Sequence, residues 1–156
     1  MQNLRVITPD ASYARPISDL ILLLRDDFAP GDDAEIRQFI ALSSPAAIAE
    51  KLNDARYWYR VALLDDAFAG VIRLRDQSHL QHLFIEPRFQ RLGLGRKLCE
   101  LGFDYLRELG TPSVTVNSSL RAIGFYEKLG FHREGEPICK GLFCSQPMRL
   151  ALPPRN

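Results

Sequence analysis

Apolar residues along this chain change their spacing several times, and each change marks a boundary between a strand and a helix. Residues 3–8 (NLRVIT) predict a first strand, and residues 16–28, with Ile17, Leu20, Ile21 and Leu24 at helical spacing, predict a helix. Residues 33–42 and 45–54 predict two short helices, the second opened by Ser44 and Pro45, a capping residue followed by proline at the first helical position. Segments 59–64 (YRVALL) and 68–75 (FAGVIRLR), separated by Asp65, Asp66 and Ala67, predict an antiparallel hairpin. Residues 79–85 (HLQHLFI) predict a further strand closed by Pro87.

The period then becomes helical again. Leu94, Leu98, Leu101, Tyr105 and Leu109 share one face, and Gly110 and Pro112 end the run. Residues 113–116 (SVTV) predict a short strand, 119–129 a helix stopped by Gly130, and 131–138 and 142–150 two last strands. A strand, a helix and a strand over residues 79–116 make a crossover unit, so its two strands should run parallel with a right-handed connection.

Composition narrows the function classes. The 156 residues suit one compact core, and the values of 46% apolar and 25% charged are ordinary for a globular chain. A net charge of +1 argues against whole-surface nucleic-acid binding. The longest aliphatic run, residues 20–24, is too short to span a bilayer, and the opening MQNLRVITPD lacks an apolar signal core. The three cysteines, Cys99, Cys139 and Cys144, lack the spacing of a zinc site or a redox pair. They are expected to be buried structural thiols, in a metal-free, cytoplasmic protein.

The candidate chemistry begins at Gln90-Arg91-Leu92-Gly93-Leu94-Gly95, between the end of a strand and the start of the long helix. A helix N-terminus carries amides without intrahelical acceptors and so attracts anions. Two glycines let a pyrophosphate approach the backbone, and the loop's leucines are expected to pack inward. Arg88, Arg91, Arg96 and Lys97 lie nearby, with no acid between Glu86 and Glu100. Cations in a helix's first turn oppose its dipole by about 0.3–1 kcal/mol each, so clustering them there favours a bound anion over a bare basic turn. A dinucleotide fingerprint would need glycine where Leu98 stands, and a P-loop would need Gly-Lys-Ser/Thr, which is absent.

Residues 89–103 (FQRLGLGRKLCELGF) match the QxxGxG/A motif, and residues 116–131 (VNSSLRAIGFYEKLGF) the second signature, of the GNAT superfamily of N-acetyltransferases, which the chain therefore resembles. The ending Pro147-Met148-Arg149-Leu150 resembles one small-protein branch of it. The resemblance implies a single α/β (α+β) domain over residues 1–156. It would hold a mixed six- to seven-stranded sheet, helices on both faces and a splay between two parallel central strands.

It also implies acetyl-CoA as co-substrate, with its pantetheine arm between residues 79–85 and 113–117. Leu83, Phe84 and Ile85 would then line the thioester. A backbone N–H there would stabilise the oxyanion of the tetrahedral intermediate, an effect often worth several kcal/mol. Gln90, Arg91 and Leu92 would complete the loop, and Gly93, Leu94, Gly95, Arg96 and Lys97 would hold the pyrophosphate. Asn117 and Ser119 stand where the family often places a pantetheine-binding asparagine, and Ser119 would also cap the following helix. Gly124 within that helix either permits close cofactor approach or costs about 1 kcal/mol.

Tyr126 matches the family's tyrosine acid. A phenol near pKa 10 is a weaker acid than a thiol near 8.5, by roughly 2 kcal/mol, so its main action would be to hydrogen-bond the departing thiolate. Read alone, Tyr126 with Ala122, Ile123 and Leu129 would be core packing. A lysine-like amine costs about 4–5 kcal/mol to deprotonate at pH 7, which makes a base useful. His79, eleven residues before Gln90, stands where several family members place a carboxylate base. His82 and water are its competitors, and strand alternation would let at most one histidine face the acceptor.

Asp26, Asp27, Asp32, Asp33 and Glu35 lie in the segment where the family shapes its acceptor site. They would attract a cationic amine, although a solvated turn and helix cap is the more economical reading. One of Tyr57, Trp58 and Tyr59 would face the ligand, or all three pack in the sheet. The expected reaction is direct attack of a primary amine, small or peptide-borne, in a ternary complex. The alternatives are an acyl-CoA-binding regulatory or partner-binding module and a purely structural protein. Homodimers are frequent in the family, which leaves room for one here.

Overall fold

A computed structural model describes residues 2–154. The strands are β1 (Leu4–Ile7), β2 (Tyr57–Leu64), β3 (Ala67–Arg75), β4 (His79–Ile85), β5 (Ser113–Ser118), β6 (His132–Arg133), β7 (Ile138–Lys140) and β8 (Phe143–Ala151). They form a mixed sheet in the order β1-β2-β3-β4-β5-β8-β6, with β7 paired to β8. The helices are α1 (Ala14–Leu24), α2 (Ala34–Leu42), α3 (Pro45–Leu52), α4 (Leu94–Glu108) and α5 (Ile123–Lys128).

Local chemistry explains the hairpin. Asp65 and Asp66 adopt φ of +50° and +66°, which aspartate tolerates better than most residues and which a two-residue turn between twisted strands requires. Asp65 Oδ1 accepts from Asn3 N–H at 2.7 Å and Asp66 pairs with Arg5 at 2.8 Å, so the turn also holds β1 against β2.

Each face of the sheet buries its own core. On one face, Ile17, Leu20 and Ile21 of α1 and Ile48 of α3 pack on Val61, Leu63 and Val71. On the other, Leu94, Leu98, Phe103 and Leu106 of α4 pack on Ile72, Leu74, Leu80 and Val114. Each such side chain contributes about 1.5–3 kcal/mol when fully buried. The α4 helix forms where the pattern places it, but its buried stripe runs through Leu94, Leu98, Cys99, Phe103 and Leu106, while Leu101 and Tyr105 are half-buried and Leu109 is exposed; helices lie on both faces as the resemblance implies.

Two features of β4 position everything that follows. Its parallel pairing with β5 covers only His79↔Thr115 and Leu80↔Val116, after which the strands diverge. Its antiparallel register with β3 runs from Arg73↔His82 to Leu74↔Leu80, so Gln81 is an extra residue in a β-bulge.

Several expectations are corrected. The sheet has eight strands rather than six or seven, because the segment read as one strand over residues 131–138 breaks at Gly135, whose φ of +69° turns the chain between β6 and β7. The helix expected over 119–129 begins at Ile123. Ala122 N–H closes a separate turn on Ser119 O at 3.1 Å, so Ala122 stands at the helix's N-cap and Ser119 does not cap it. The thiol reading holds only for Cys99, which is buried and free. Cys139 and Cys144 form a disulfide, because the turn between β7 and β8 makes them direct cross-strand partners, a proximity their spacing does not announce.

Gly70 leaves no room for a side chain beside β4: a Cβ there would sit 2.6 Å from Ile85 Cδ1 and 2.9 Å from the Phe84 carbonyl oxygen. The isoleucine can turn aside but the carbonyl cannot. Gly70→Ala is expected to lower stability by about 1–3 kcal/mol, read as a shift in the denaturant midpoint at constant slope. An unchanged midpoint would contradict this approach of the strands.

Candidate functional site

Divergence of β4 from β5 opens the sheet, and a cavity lies on each side of the opening. One, of about 550 Å³, is bounded by His79, Gln81 and His82 of β4 together with Val116, Asn117 and Ser118 of β5. The other, of about 650 Å³, lies over the loop before α4 and the first turns of α4 and α5. Phe28, Leu83, Phe84, Ser119, Ala122 and Tyr126 line both, so the two meet beside the Tyr126 ring.

The second cavity has the features of an anion site. Gly93 takes φ of +84° at the N-cap of α4, a left-handed conformation that glycine adopts without a Cβ clash. Lys97 N–H is the first to find an intrahelical acceptor, Gly93 O at 3.0 Å, so the amides of Gly93, Leu94, Gly95 and Arg96 have none within the helix. A Cβ on Gly95 would come within 3.4 Å of Phe125 Cζ, so the small residue lets α5 close on the loop.

Gln90, Arg91, Gly93, Leu94, Gly95 and Arg96 line this cavity, whereas Leu92 and Lys97 do not. Leu94 packs inward, but Leu92 is 53% exposed, contrary to the expectation for the loop's leucines: it precedes the helix and no element covers it. Gln90 Nε2 donates to Ile85 O at 3.0 Å, which ties the loop to the end of β4. Arg96 pairs with Glu100 at 3.1 Å, and Arg121 pairs with Asp27 at 2.8 Å across the cavity's lining.

Between the cavities, Glu86 N–H donates to Ala69 O at 2.8 Å, toward β3. Alternation along an antiparallel ladder then turns the backbone groups of Leu83 and Ile85 toward β5, which has already moved away. Tyr126 is 6% exposed, and its ring contacts Phe125 and Phe131 at centroid distances of 5.1 and 5.4 Å. Burial, with a smaller contribution from Cys99, raises its phenol well above the usual range, so the hydroxyl keeps its proton. Gly124 has open space around it and sits near the start of the short α5.

The bulge at Gln81 overturns the expectation that His79 and His82 face opposite sides. An extra residue puts two successive side chains on one face, so His79, Gln81 and His82 all reach the first cavity. His79 Nδ1 lies 2.8 Å from Thr115 Oγ1. Burial and the nearby Arg75 push its pKa down to about 4, so it is neutral at physiological pH. His82 Nε2 lies 3.0 Å from Arg73 Nη2, which can only donate; Nε2 is therefore the acceptor and the proton sits on Nδ1, which is buried without a partner. Burial and Arg73 hold its pKa well below the usual value, so His82 is an engaged side chain rather than a free base.

The acidic run does not reach the first cavity, whose lining contains no aspartate or glutamate. Asp33 instead caps α2 by accepting from Ile36 N–H at 3.0 Å, and Asp27 is taken by Arg121. Of the three aromatics, Tyr57 lines the cavity, Trp58 stacks on Tyr105 at 5.0 Å, and Tyr59 accepts from Arg73 Nη1 at 2.9 Å. Sequence reasoning missed Lys51, Arg73 and Arg75 on the cavity wall. One signal was available: Arg73 interrupts an apolar strand and is only 3% exposed.

Comparison with known proteins closes the identification. The GNAT acetyltransferase domain profile matches residues 28–152. A ribosomal protein bS18-alanine N-acetyltransferase of Escherichia coli K12 is 36% identical over 69 residues, covering 42% of this chain and 47% of its own length. The chain thus spans about half the length of the curated relatives it matches. The PaiA N-acetyltransferase of Thermoplasma acidophilum, solved with coenzyme A, superposes with a TM-score of 0.80 at 14% identity, over 96% of this chain and 99% of that one. A spermidine N-acetyltransferase from Vibrio cholerae superposes with a TM-score of 0.68 at 15% identity, over 97% and 94% of the two chains. With the profile matching well over half its length, a parallel β4–β5 pair that splays, and the same overall fold as these enzymes, this chain belongs to the GNAT family of acetyltransferases.

Proposed function

We propose that the chain transfers an acetyl group from acetyl-CoA to a primary amine by direct attack in a ternary complex. The observation that carries this reading is Tyr126 at the junction of the two cavities, one lined by free helix amides and the other by polar side chains that suit an acceptor. The relatives support an amine acceptor, being named as acetyltransferases of a ribosomal protein's alanine and of spermidine. Family membership and a retained tyrosine make a binding-only module the less economical reading.

The residues present fit the co-substrate. Amides of Gly93, Leu94, Gly95 and Arg96, joined by Arg91, would hold the diphosphate. Leu83 and Ile85 would hydrogen-bond the pantetheine arm in the gap, with Phe84, Asn117 and Ser119 beside it. Bound there, acetyl-CoA supplies an activated acyl carbon. Backbone N–H of Leu83 is the donor best placed for negative charge developing on the acyl oxygen. Tyr126 keeps its proton and donates a hydrogen bond to the leaving sulfur rather than surrendering the proton outright.

His79 serves as the first proton acceptor for the amine. Thr115 Oγ1 lies 3.5 Å from Ser78 O, which can only accept, so the hydroxyl hydrogen goes there and Oγ1 accepts from His79 Nδ1–H. Nε2 then carries the lone pair. With a pKa near 4, His79 is a weak base but an always-unprotonated one, suited to relaying a proton to solvent.

Two measurements test this. Tyr126→Phe keeps the packed ring and is expected to lower turnover by about 10²-fold in a thiol-release assay, with CoA affinity and melting temperature unchanged. Full turnover in that variant would remove Tyr126 from the chemistry. The folded-state pKa of His79 is depressed, so its proton acceptance is lost only as pH falls through about 4. The kcat/KM profile should therefore rise toward the pKa of the acceptor amine with no inflection near pH 6.5, and His79→Asn should lower it about 10- to 100-fold without changing its shape. An inflection near 6.5 that vanishes in His79→Asn would contradict the desolvated environment.

A further inference from the structure

The cavity beside His79 has an unbalanced charge. Lys51, Arg73 and Arg75 line it and no carboxylate does. Arg73 lies at the centre of this excess. Its Nε donates to Gln81 Oε1 at 2.9 Å, Nη1 to Tyr59 hydroxyl at 2.9 Å and Nη2 to His82 Nε2 at 3.0 Å. All three partners are neutral. A guanidinium has five N–H donors, so two remain without a partner among the described residues.

The neighbours share the deficit. Arg75 Nε is buried without a hydrogen bond, and its nearest carboxylate, Asp76 at 3.4 Å, is also engaged by Arg56 at 2.9 Å. Lys51 makes no ion pair among the described residues, and its pKa is lowered by desolvation and by Arg73. A buried cation without an anion is costly, and the natural remedy is an anionic ligand. The diphosphate site cannot be that ligand's place, since it belongs to the other cavity. Around the cations, Phe28, Phe39, Tyr57 and Phe143 give the cavity an apolar wall.

We infer that the acceptor is an amine carrying its own oxyanion, a carboxylate in the manner of a free amino acid, which seats on Arg73, Arg75 and Lys51 while the amine faces His79. This rests on the acetyl-transfer reading and adds the substrate class. Nη1 and Nη2 of Arg73 each keep one N–H without a partner among the described residues, the number that a carboxylate held by two oxygens takes up. Phe28, Phe39 and Phe143 favour an apolar side chain on the acceptor. A diamine of similar length would meet Arg73 and Lys51, neither of them ion-paired among the described residues, with only Arg75 balanced, by Asp76.

The test compares matched acceptors by thiol release from acetyl-CoA: L-phenylalanine against L-phenylalaninamide, O-phosphoethanolamine against ethanolamine, and 1,4-diaminobutane. L-Phenylalanine is expected to exceed its amide in kcat/KM by about tenfold or more. Arg73→Gln should abolish the preference, and Lys51→Gln, on the outer helix α3, should reduce it should the buried substitution fail to fold. O-Phosphoethanolamine used in preference to L-phenylalanine would assign the site to a phosphate instead and overturn the carboxylate. Calorimetry on the CoA-loaded protein with N-acetyl-L-phenylalanine and its amide provides a readout that needs no turnover. Selective binding of the acid without thiol release from any amine would sink acetyl transfer and leave the anion site standing. Equal use of acid, amide and diamine would sink the anion site and leave acetyl transfer standing.

Discussion

Two residue pairs hold β4 to β5, and the separation of the strands beyond them is the constraint on which the site depends. Main-chain groups in the middle of a sheet normally find partners, and each one left buried and unpaired costs about 1–3 kcal/mol. The chain tolerates the gap by leaving the groups near space that a ligand can occupy and by satisfying one of them itself, through Gln90 on Ile85 O. The same gap brings the two cavities side by side, with Tyr126 lining both. A fully zipped β4–β5 pair would keep the helix amides of α4 but isolate them from the His79 side.

The bulge at Gln81 is the second device, and it acts just upstream of the gap. Without it, His82 would point toward α4 and Arg73 would lose one of its three neutral partners. With it, five polar side chains from β3 and β4, Arg73, Arg75, His79, Gln81 and His82, meet on the face that α1 and α3 also cover. Arg73 is therefore fixed by side chains that cannot neutralise it. Fixing a cation without neutralising it preserves its attraction for an anion and preorganises its direction.

What was readable in advance follows from the range of the interactions involved. The α4 helix and its glycine loop are legible because their signals are contiguous, a period of apolar residues and a pair of glycines, and the short signature around Tyr126 is equally local. The hairpin at Asp65 and Asp66 was found for the same reason. Three features are not legible: one depends on the register between two strands, and two on tight turns that no apolar period announces. The bulge is a mismatch of β3 against β4. The disulfide depends on the tight turn that sets Cys139 opposite Cys144. The shift of α5 to Ile123 reflects a turn that competes with the helix for Ala122 N–H. The acidic run follows the more economical of its two readings: its charges are spent on a helix cap and on Arg121, a residue 94 positions away from Asp27.

The cationic wall also bears on how the amine becomes a nucleophile. Two unit charges about 4 Å apart at an effective dielectric of about 20 interact by about 4 kcal/mol. That is close to the 4–5 kcal/mol needed to free a lysine-like amine of its proton at pH 7, roughly. An ammonium held near Arg73 and Arg75 is thus pushed toward its neutral form by the same charges that hold a carboxylate. With Arg75 paired to Asp76 at 3.4 Å, one carboxylate would offset one of the two remaining cations and leave net positive charge around the amine. On the proposed reaction, recognition and deprotonation would follow from one field, and His79, kept uncharged by burial, would need only to accept a proton that the surrounding cations have loosened. A carboxylate base in its place would cancel part of that field and trade recognition of the acid for basicity.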